Sequence, residues 1–254
     1  MSMSNSVTIV VQRRERPSAS AHWEEFEIPR ETGLNVTTCL QRIAARPITT
    51  EGRPTTPVSY DACCLEEVCG ACTMVINGRV RQACSALVDD LMNQSPGRIT
   101  LQPMSKFPVV RDLVVDRQRI FESLKRVRAW VPVDGYLPRG PGPQGSQEEQ
   151  EEAYPLSRCM SCGCCLEACP QYTASNDFLG AAAISQAVLF NSHPVARFEA
   201  NARHDALVAP GGIADCGNAQ MCVKVCPKDI PLTQSIARAG RMATVHSIKR
   251  WLGR

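Results

Sequence analysis

Short stretches in the N-terminal part of the chain carry apolar residues at strand spacing: Val7 to Val11, Phe26 to Ile28, Thr73 to Ile76 and Ile99 to Leu101. Successive side chains on a pleated strand point to opposite faces, so each stretch predicts a strand with one face toward a core. Asn77-Gly78 follows the third stretch directly. That pair tolerates positive φ at both central turn positions and predicts a tight hairpin. Val36 to Ala45 has helical spacing instead, so the expected unit is a small mixed α+β domain with a sheet packed on one helix.

The period changes further along. From Arg111 to Trp130, Leu113, Ile120, Phe121, Leu124, Val127 and Trp130 fall near one helical face, with Arg117, Lys125 and Arg128 largely on the other. A helical domain is expected to begin here, and Trp130 reads as core. Pro138 to Gln147 contains Pro-Arg-Gly-Pro-Gly-Pro and predicts a loop, since it can hold neither a helix nor a central strand. Leu179 to Phe190 and Leu232 to Leu252 read as helices, with Gly253 following the last. The expected domains are 1–105, α+β, and 106–254, all-α, the latter with a Pro/Gly/Glu-rich loop at 138–153.

The chain has 254 residues, 44% of them hydrophobic, which is ordinary for a globular protein, but 14 are cysteine. Met1 to Val11 has no signal-peptide core, so a reducing compartment is expected. Thiols in such a compartment stay open, which favours metal binding over a disulfide framework. No window reaches the length of an apolar membrane span; Phe178 to Phe190 is too short and contains Ser185 and Gln186. A net charge of +3 is too small to imply nucleic acid. The charge is unevenly spread: Glu148, Glu149, Glu151 and Glu152 form an acidic run, whereas the tail after Asp229 has no acid and carries Arg238, Arg241, Lys249, Arg250 and Arg254. A solvated helical face and a docking surface explain the acidic run equally well.

The cysteine spacings carry the chemistry. Cys64-Leu-Glu-Glu-Val-Cys69-Gly-Ala-Cys72, followed by Cys84, has the plant-type ferredoxin spacing of a [2Fe-2S] centre. A tight loop can point three thiolates inward while its amides face the sulfurs, and Gly70 permits close approach of the chain. The hairpin at Asn77-Gly78 would deliver Cys84. Half a zinc ribbon is the alternative, disfavoured by the x4 spacing and the single distant fourth ligand.

Cys159-Met-Ser-Cys162-Gly-Cys164-Cys165-Leu-Glu-Ala-Cys169-Pro170 contains the two-cluster ferredoxin run C-x2-C-x2-C-x3-C-P. Cys216-Gly-Asn-Ala219-Gln-Met-Cys222-Val-Lys-Val-Cys226-Pro227 fits the same template with alanine at the second cysteine position. In such pairs the fourth cysteine of each run binds the other cluster. Cys159, Cys162, Cys165 and Cys226 then form a complete [4Fe-4S] set, while Cys169, Cys216 and Cys222 leave one corner without a thiolate, the pattern of [3Fe-4S]. A [4Fe-4S] cluster with an open corner for substrate is the rival reading, although the C-x3-C-x2-C spacing of radical enzymes is missing. Cys39, Cys63 and Cys164 fall outside every template and read as small buried apolar residues. His22, His193, His204 and His246 lack ligand spacing and read as surface or capping residues.

Three such centres imply single-electron transfer and no catalytic residue in this chain. Together with Phe107-Pro-Val-Val-Arg-Asp-Leu-Val-Val-Asp116, the cysteine runs, including Ala219, resemble the iron-sulfur subunit of succinate dehydrogenase and fumarate reductase over essentially the whole chain. The resemblance implies a β-grasp [2Fe-2S] ferredoxin domain followed by an α-helical ferredoxin domain. It also implies an FAD-containing flavoprotein partner, a membrane anchor carrying haem b, a quinone acceptor, and a place in the tricarboxylic acid cycle and respiratory chain. The expected location is peripheral, on the cytoplasmic face of a bacterial membrane. Family members that reduce ubiquinone have a tryptophan soon after the cysteine matching Cys169 and a histidine after the one matching Cys216. Here stand Gln171-Tyr172-Thr173-Ala174 and Gly217, and Phe190-Asn-Ser-His-Pro194 with Ala214 to Cys222 resembles menaquinone-linked members with a dihaem anchor. Two other readings compete: a freely diffusing ferredoxin, and a subunit of another flavin-linked dehydrogenase, whose relatives usually lack the block from Cys64 to Cys84.

Overall fold

The computed structural model describes residues 6–132 and 145–253. It divides into two compact units, one running to Arg117 and the other starting at Gln118.

In the first unit, β1 (Ser6–Arg13) pairs antiparallel with β2 (His22–Pro29), and Val7, Ile9, Val11, Phe26 and Ile28 are buried. Helix α1 (Val36–Ala45) buries Val36, Cys39, Leu40 and Ile43, the i, i+3, i+4, i+7 stripe of an amphipathic helix. Its N-cap Asn35 accepts the Thr38 amide at 2.9 Å, a cap of about 1 kcal/mol. Strands β3 (Thr73–Ile76) and β4 (Arg79–Gln82) form the expected hairpin, with φ of 48° at Asn77 and 73° at Gly78. A short helix α2 (Val88–Gln94) leads into β5 (Arg98–Gln102), which pairs parallel with β1 and antiparallel with β3. The sheet order β2-β1-β5-β3-β4, with its central parallel pair, is that of a β-grasp.

Residues 111–115 overturn part of the expected helix. They belong to a hairpin of β6 (Val109–Arg111) and β7 (Val114–Val115), turning at Asp112 with φ 45°. Helix α3 (Gln118–Arg126) starts only afterwards. Leu113 is buried in the first unit's core, Ile120 and Val127 are buried in the second unit, and Phe121 is exposed. Trp130, expected in the core, is 42% exposed because the chain has left the helix before reaching it.

The second unit is helical. The expected loop at 138–153 lies outside the described residues up to 144, and from Gln147 onward it is helix α4 (Gln147–Ser157). A capping box starts that helix: Ser146 Oγ accepts from the Glu149 amide, and the Glu149 carboxylate accepts from the Ser146 amide. Next come α5 (Cys164–Glu167), α6 (Gly180–Ser192), α7 (Ala200–Val208), α8 (Met221–Lys224) and α9 (Leu232–Trp251). Buried small residues at Ala181, Ala182, Ala183 and Ala187 let α6 pack on α9, which contributes Ala239 and Ala243. Arg203 of α7 is wholly buried and donates to the carbonyls of Arg128, Trp130 and Ala196. Among the described residues no helix is long and apolar enough to cross a membrane.

Candidate metal centres

The loop from Cys64 to Cys72 holds Leu65 at φ 62°, Glu67 at 54° and Gly70 at 72°. Left-handed backbone costs a non-glycine residue about 1–3 kcal/mol, and alternating it with ordinary backbone makes a nest of inward amides. The Cys64 sulfur accepts from the amides of Glu66 at 3.4 Å, Val68 at 3.3 Å and Cys69 at 3.3 Å. Cys69 Sγ accepts from the Ala71 amide at 3.4 Å, and Cys84 Sγ from the Glu67 amide at 3.3 Å. These amides, Glu66 first, draw the Cys64 thiol down to about 6, into the range where it is the thiolate a metal requires. Burial pushes Cys84 up to about 11, and the neighbouring Cys72 and Cys64 add to that rise. The hairpin brings Cys84 in, with the Ala83 amide on the Cys72 carbonyl at 3.1 Å. Ser85 Oγ closes the far side by donating to Glu67 Oε1 at 2.5 Å.

The other two cysteine runs are built on one backbone. Two residues after the first cysteine, Ser161 and Asn218 both have φ 51°; four residues after it, Gly163 has 88° and Gln220 has 58°. Helix α5 begins five residues after Cys159, and α8 five residues after Cys216. Beyond each Cys-Pro pair the same turn closes, with the Tyr172 amide on the Cys169 carbonyl and the Asp229 amide on the Cys226 carbonyl, both at 3.2 Å. Ala219 therefore occupies the backbone position of Cys162.

Their thiols gather in two sets. Cys159, Cys162, Cys165 and Cys226 line one cavity, together with the fully buried Cys164, while Cys169, Cys216, Cys222 and Ala219 line another. Burial pushes the Cys159 thiol up, and the neighbouring Cys162 and Cys226 thiolates raise it further. Burial likewise holds Cys165 well above the usual thiol range, with Cys162, Cys159, Cys226 and Cys222 adding to it. Burial raises Cys222 too, assisted by Cys169 and Cys216. Thiols crowded this way cannot all ionise without a cation among them, a charge that iron in a bound cluster would supply. The donor sets fit sulfur-ligated clusters, with soft ligands around a volume and amides aimed at sulfur.

The family described as a 2Fe-2S iron-sulfur cluster binding domain matches residues 6–122, and the 4Fe-4S dicluster domain matches 155–230. The succinate dehydrogenase iron-sulfur subunit of Bacillus subtilis (strain 168) is 48% identical over 253 residues, covering 100% of this chain and 98% of that one. The chain belongs to the iron-sulfur subunits of succinate dehydrogenase and fumarate reductase. The fumarate reductase iron-sulfur subunit of Wolinella succinogenes is 30% identical, covering 92% of this chain and 96% of that one. The Mycobacterium smegmatis Sdh1 complex in the apo form contains a chain that matches with TM-score 0.77 at 21% identity. It covers 95% of this chain and 96% of that one, and shows the fold.

Within this iron-sulfur subunit the leftover cysteines divide. Cys39 and Cys164 are fully buried, as expected, and burial pushes the Cys39 thiol up to about 12. Cys63 is exposed, contrary to expectation, because it stands just outside the loop that turns Cys64 inward. His193 caps a turn, its Nδ1 accepting from the amides of Val195 and Ala196 at 3.2 Å. His204 and His246 pack with ring centroids 5.2 Å apart, and His246 Nε2 lies 2.8 Å from Asp205 Oδ1. The His22 side chain is 51% exposed. Part of the charge asymmetry closes internally: Glu152 of the acidic run pairs with Arg238, and Asp205 pairs with Arg250 at 2.8 Å. Sequence reasoning missed Arg117 and Arg119. Arg117 donates to backbone carbonyls of the first cysteine loop; Arg119 donates to those of Thr173 and Asn176 and stacks 4.0 Å over Tyr172. Backbone carbonyls leave no mark in a sequence.

Proposed function

We propose that this chain is the electron-relay subunit of a succinate:menaquinone oxidoreductase. Cys64, Cys69, Cys72 and Cys84 would hold [2Fe-2S], Cys159, Cys162, Cys165 and Cys226 [4Fe-4S], and Cys169, Cys216 and Cys222 [3Fe-4S]. The observation that carries this reading is Ala219, a thiol-free position in a loop whose backbone otherwise repeats that of Cys159 to Cys169. When bound, the clusters supply one-electron relay between an FAD-containing flavoprotein and a quinone or haem b in a membrane anchor. The chain's own residues hold the thiolates, aim amides at their sulfurs and keep water from the buried ones. Leu65, 49% exposed, and Val68, 57% exposed, offer an apolar contact beside the first loop, which favours a docked subunit over a freely diffusing ferredoxin.

Menaquinone is favoured over ubiquinone by the filling around the third set. A side chain at Gly217 would meet Gln171, whose Nε2 lies 2.5 Å from where a Cβ would stand, and Tyr172 is fully buried. The histidine and tryptophan of ubiquinone-reducing members thus have no counterpart here. A subunit on the cytoplasmic face of the cell membrane suits a chain matched in full by the Bacillus subtilis succinate dehydrogenase subunit. The test is succinate-dependent quinone reduction by the purified complex. Faster turnover with a soluble naphthoquinone than with a ubiquinone analogue is expected; the opposite order refutes the menaquinone assignment, and no reduction of either refutes the succinate assignment.

A further inference from the structure

Arg117 is the last residue of the N-terminal unit. Its guanidinium donates through one nitrogen to the Gly70 carbonyl and through the other to the Ala71 carbonyl, both at 2.6 Å. Both carbonyls lie between Cys69 and Cys72. Thr73 Oγ1 donates to the same Gly70 oxygen at 2.8 Å and itself accepts from Gln82 Nε2 at 3.0 Å. The Gly70 oxygen is therefore gripped by two donors, one of them charged.

A peptide unit is planar and trans, so its C=O and N–H point in opposite directions. The carbonyl of Gly70 and the amide of Ala71 belong to one such unit. Holding the oxygen on Arg117 turns the Ala71 N–H the other way, and that amide is the donor to Cys69 Sγ at 3.4 Å. The Ala71 carbonyl and the Cys72 amide are tied in the same manner. Gly70, at φ 72° and buried, supplies the backbone conformation that this arrangement needs. A short hydrogen bond to a guanidinium is charge-assisted and about twice as strong as a neutral one.

We propose that Arg117 is a positioning residue for the [2Fe-2S] centre: it orients the 70–71 peptide so that the Ala71 amide faces the Cys69 sulfur, and its positive charge raises the centre's reduction potential. The inference rests on the [2Fe-2S] assignment above. Amides directed at cluster sulfur and nearby positive charge both favour the reduced, more negative cluster. Arg117 supplies the charge directly and the amide through the 70–71 peptide. Arginine suits the role because its planar fork reaches two carbonyls in one geometry, whereas lysine is a point donor.

The test is a redox titration of the purified complex, following the [2Fe-2S] electron paramagnetic resonance signal in wild type, Arg117→Gln and Arg117→Lys, alongside the rate of iron loss to a chelator. Arg117→Gln removes the charge and is expected to shift the one-electron equilibrium about tenfold, roughly 59 mV to lower potential. Arg117→Lys keeps the charge but loses the fork, so its potential falls by only part of that shift, while it releases [2Fe-2S] iron several-fold faster. Equal potentials in all three proteins, or equal lowering in both variants, overturns the proposal. If Arg117→Gln fails to assemble, Arg117→Lys decides alone, and wild-type iron retention in it overturns the clamp. A wild-type complex with no [2Fe-2S] signal would instead refute the assignment on which the inference rests.

Discussion

Ser161 and Asn218 have the same backbone angle, φ 51°, at the same place in two cysteine runs. Neither is glycine: Ser161 holds a conformation that costs about 1–3 kcal/mol, and Asn218 holds one that asparagine tolerates better than most side chains. What they share is position: each stands one residue before the second site of the ferredoxin template, Cys162 in one run and Ala219 in the other. The conformation is retained where the thiol is not. The loop around Ala219 thus keeps the geometry of a cluster loop, and of the four cysteine positions of the template it lacks only the second.

Restoring that side chain is therefore expected to restore a ligand. In the Ala219→Cys complex the three-iron resonance of the oxidised protein should fall to a small fraction of its wild-type amplitude, and the centre should reduce at lower potential. Quantitative electron paramagnetic resonance with redox titration checks this, and a signal of undiminished strength counts against the alignment of the two runs.

Gly180 opens α6 at φ 78°, and a Cβ there would lie 2.1 Å from Leu166 Cδ2. Leu166 is buried in α5, between Cys165 and Cys169, which the proposed function makes cluster ligands. Gly180→Ala is expected to destabilise the second unit by about 2–4 kcal/mol from combined strain and overpacking. Thermal unfolding of the purified complex, with iron release followed in parallel, measures it; a melting temperature equal to wild type contradicts the packing described.

Asp112, 1% exposed, joins three segments. Its carboxylate accepts from the amides of Arg14 at 3.0 Å and Ser59 at 2.9 Å, and Arg13 Nε stands 3.1 Å away. Arg13 is also buried and pairs with Glu24 at 2.5 Å. Removing one member of a buried ionic group leaves the others without compensation, so Asp112→Ala should cost about 3–5 kcal/mol. Asp112→Asn, which tolerates the same positive φ and keeps an acceptor, should cost less. Urea denaturation of wild type and both variants gives the comparison, and equal losses in the two variants would show that the charge, which both remove, carries the whole effect and the retained acceptor none of it.

His204 gives the second unit an acid-sensitive seam. Burial lowers its pKa below the ordinary 6.5, and the positive charge of the neighbouring His246 lowers it further, outweighing the opposite pull of Asp205. Asp205 itself is held below the usual carboxylate range, first by its hydrogen bond to His246. A histidine whose folded pKa is depressed stabilises the fold above its unfolded pKa, and that stability is lost as pH falls from about 6.5 through the folded value. The protection of amides in α7 and the second half of α9, measured by hydrogen exchange relative to the intrinsic rate at each pH, should therefore fall between pH 7 and pH 5.5, and the change should shrink in His204→Asn. Identical pH dependence in the variant would assign the effect to another group.

The cysteine loops were legible because most of each motif is local: Cys64 to Cys72, Cys159 to Cys169 and Cys216 to Cys226 are each one short run, and the proline after Cys169 and Cys226 marked the exchange between the last two. Strands β1, β2, β3 and β5 followed from alternation, and the β3–β4 hairpin from Asn77-Gly78. The reading failed where two periods overlapped. Leu113 and Ile120 sit at helical spacing, but Val109, Val110, Val114 and Val115 are β-branched, and Asp112 turns the chain back between them. Helix α4 announced itself in Ser146 and Glu149, a capping box obscured by the Pro/Gly-rich run before it. Cys63 shows the opposite limit, since nothing in the residue type distinguishes it from Cys64, and only the amides of Glu66, Val68 and Cys69 on the Cys64 sulfur tell the two apart. Arg203 and Arg117 could not be found at all. Both bind backbone carbonyls of distant segments, and every residue has one.

The central claim is that eleven thiolates in this chain hold three clusters of different nuclearity. Spin-quantified electron paramagnetic resonance of the purified complex, first oxidised and then reduced with succinate and with dithionite, tests it directly. The account predicts about one three-iron spin per chain when oxidised, a [2Fe-2S] signal once succinate is added, and further signal from the reduced [4Fe-4S] centre with dithionite. An oxidised complex silent at full iron loading, or a protein carrying zinc in place of iron, would contradict it.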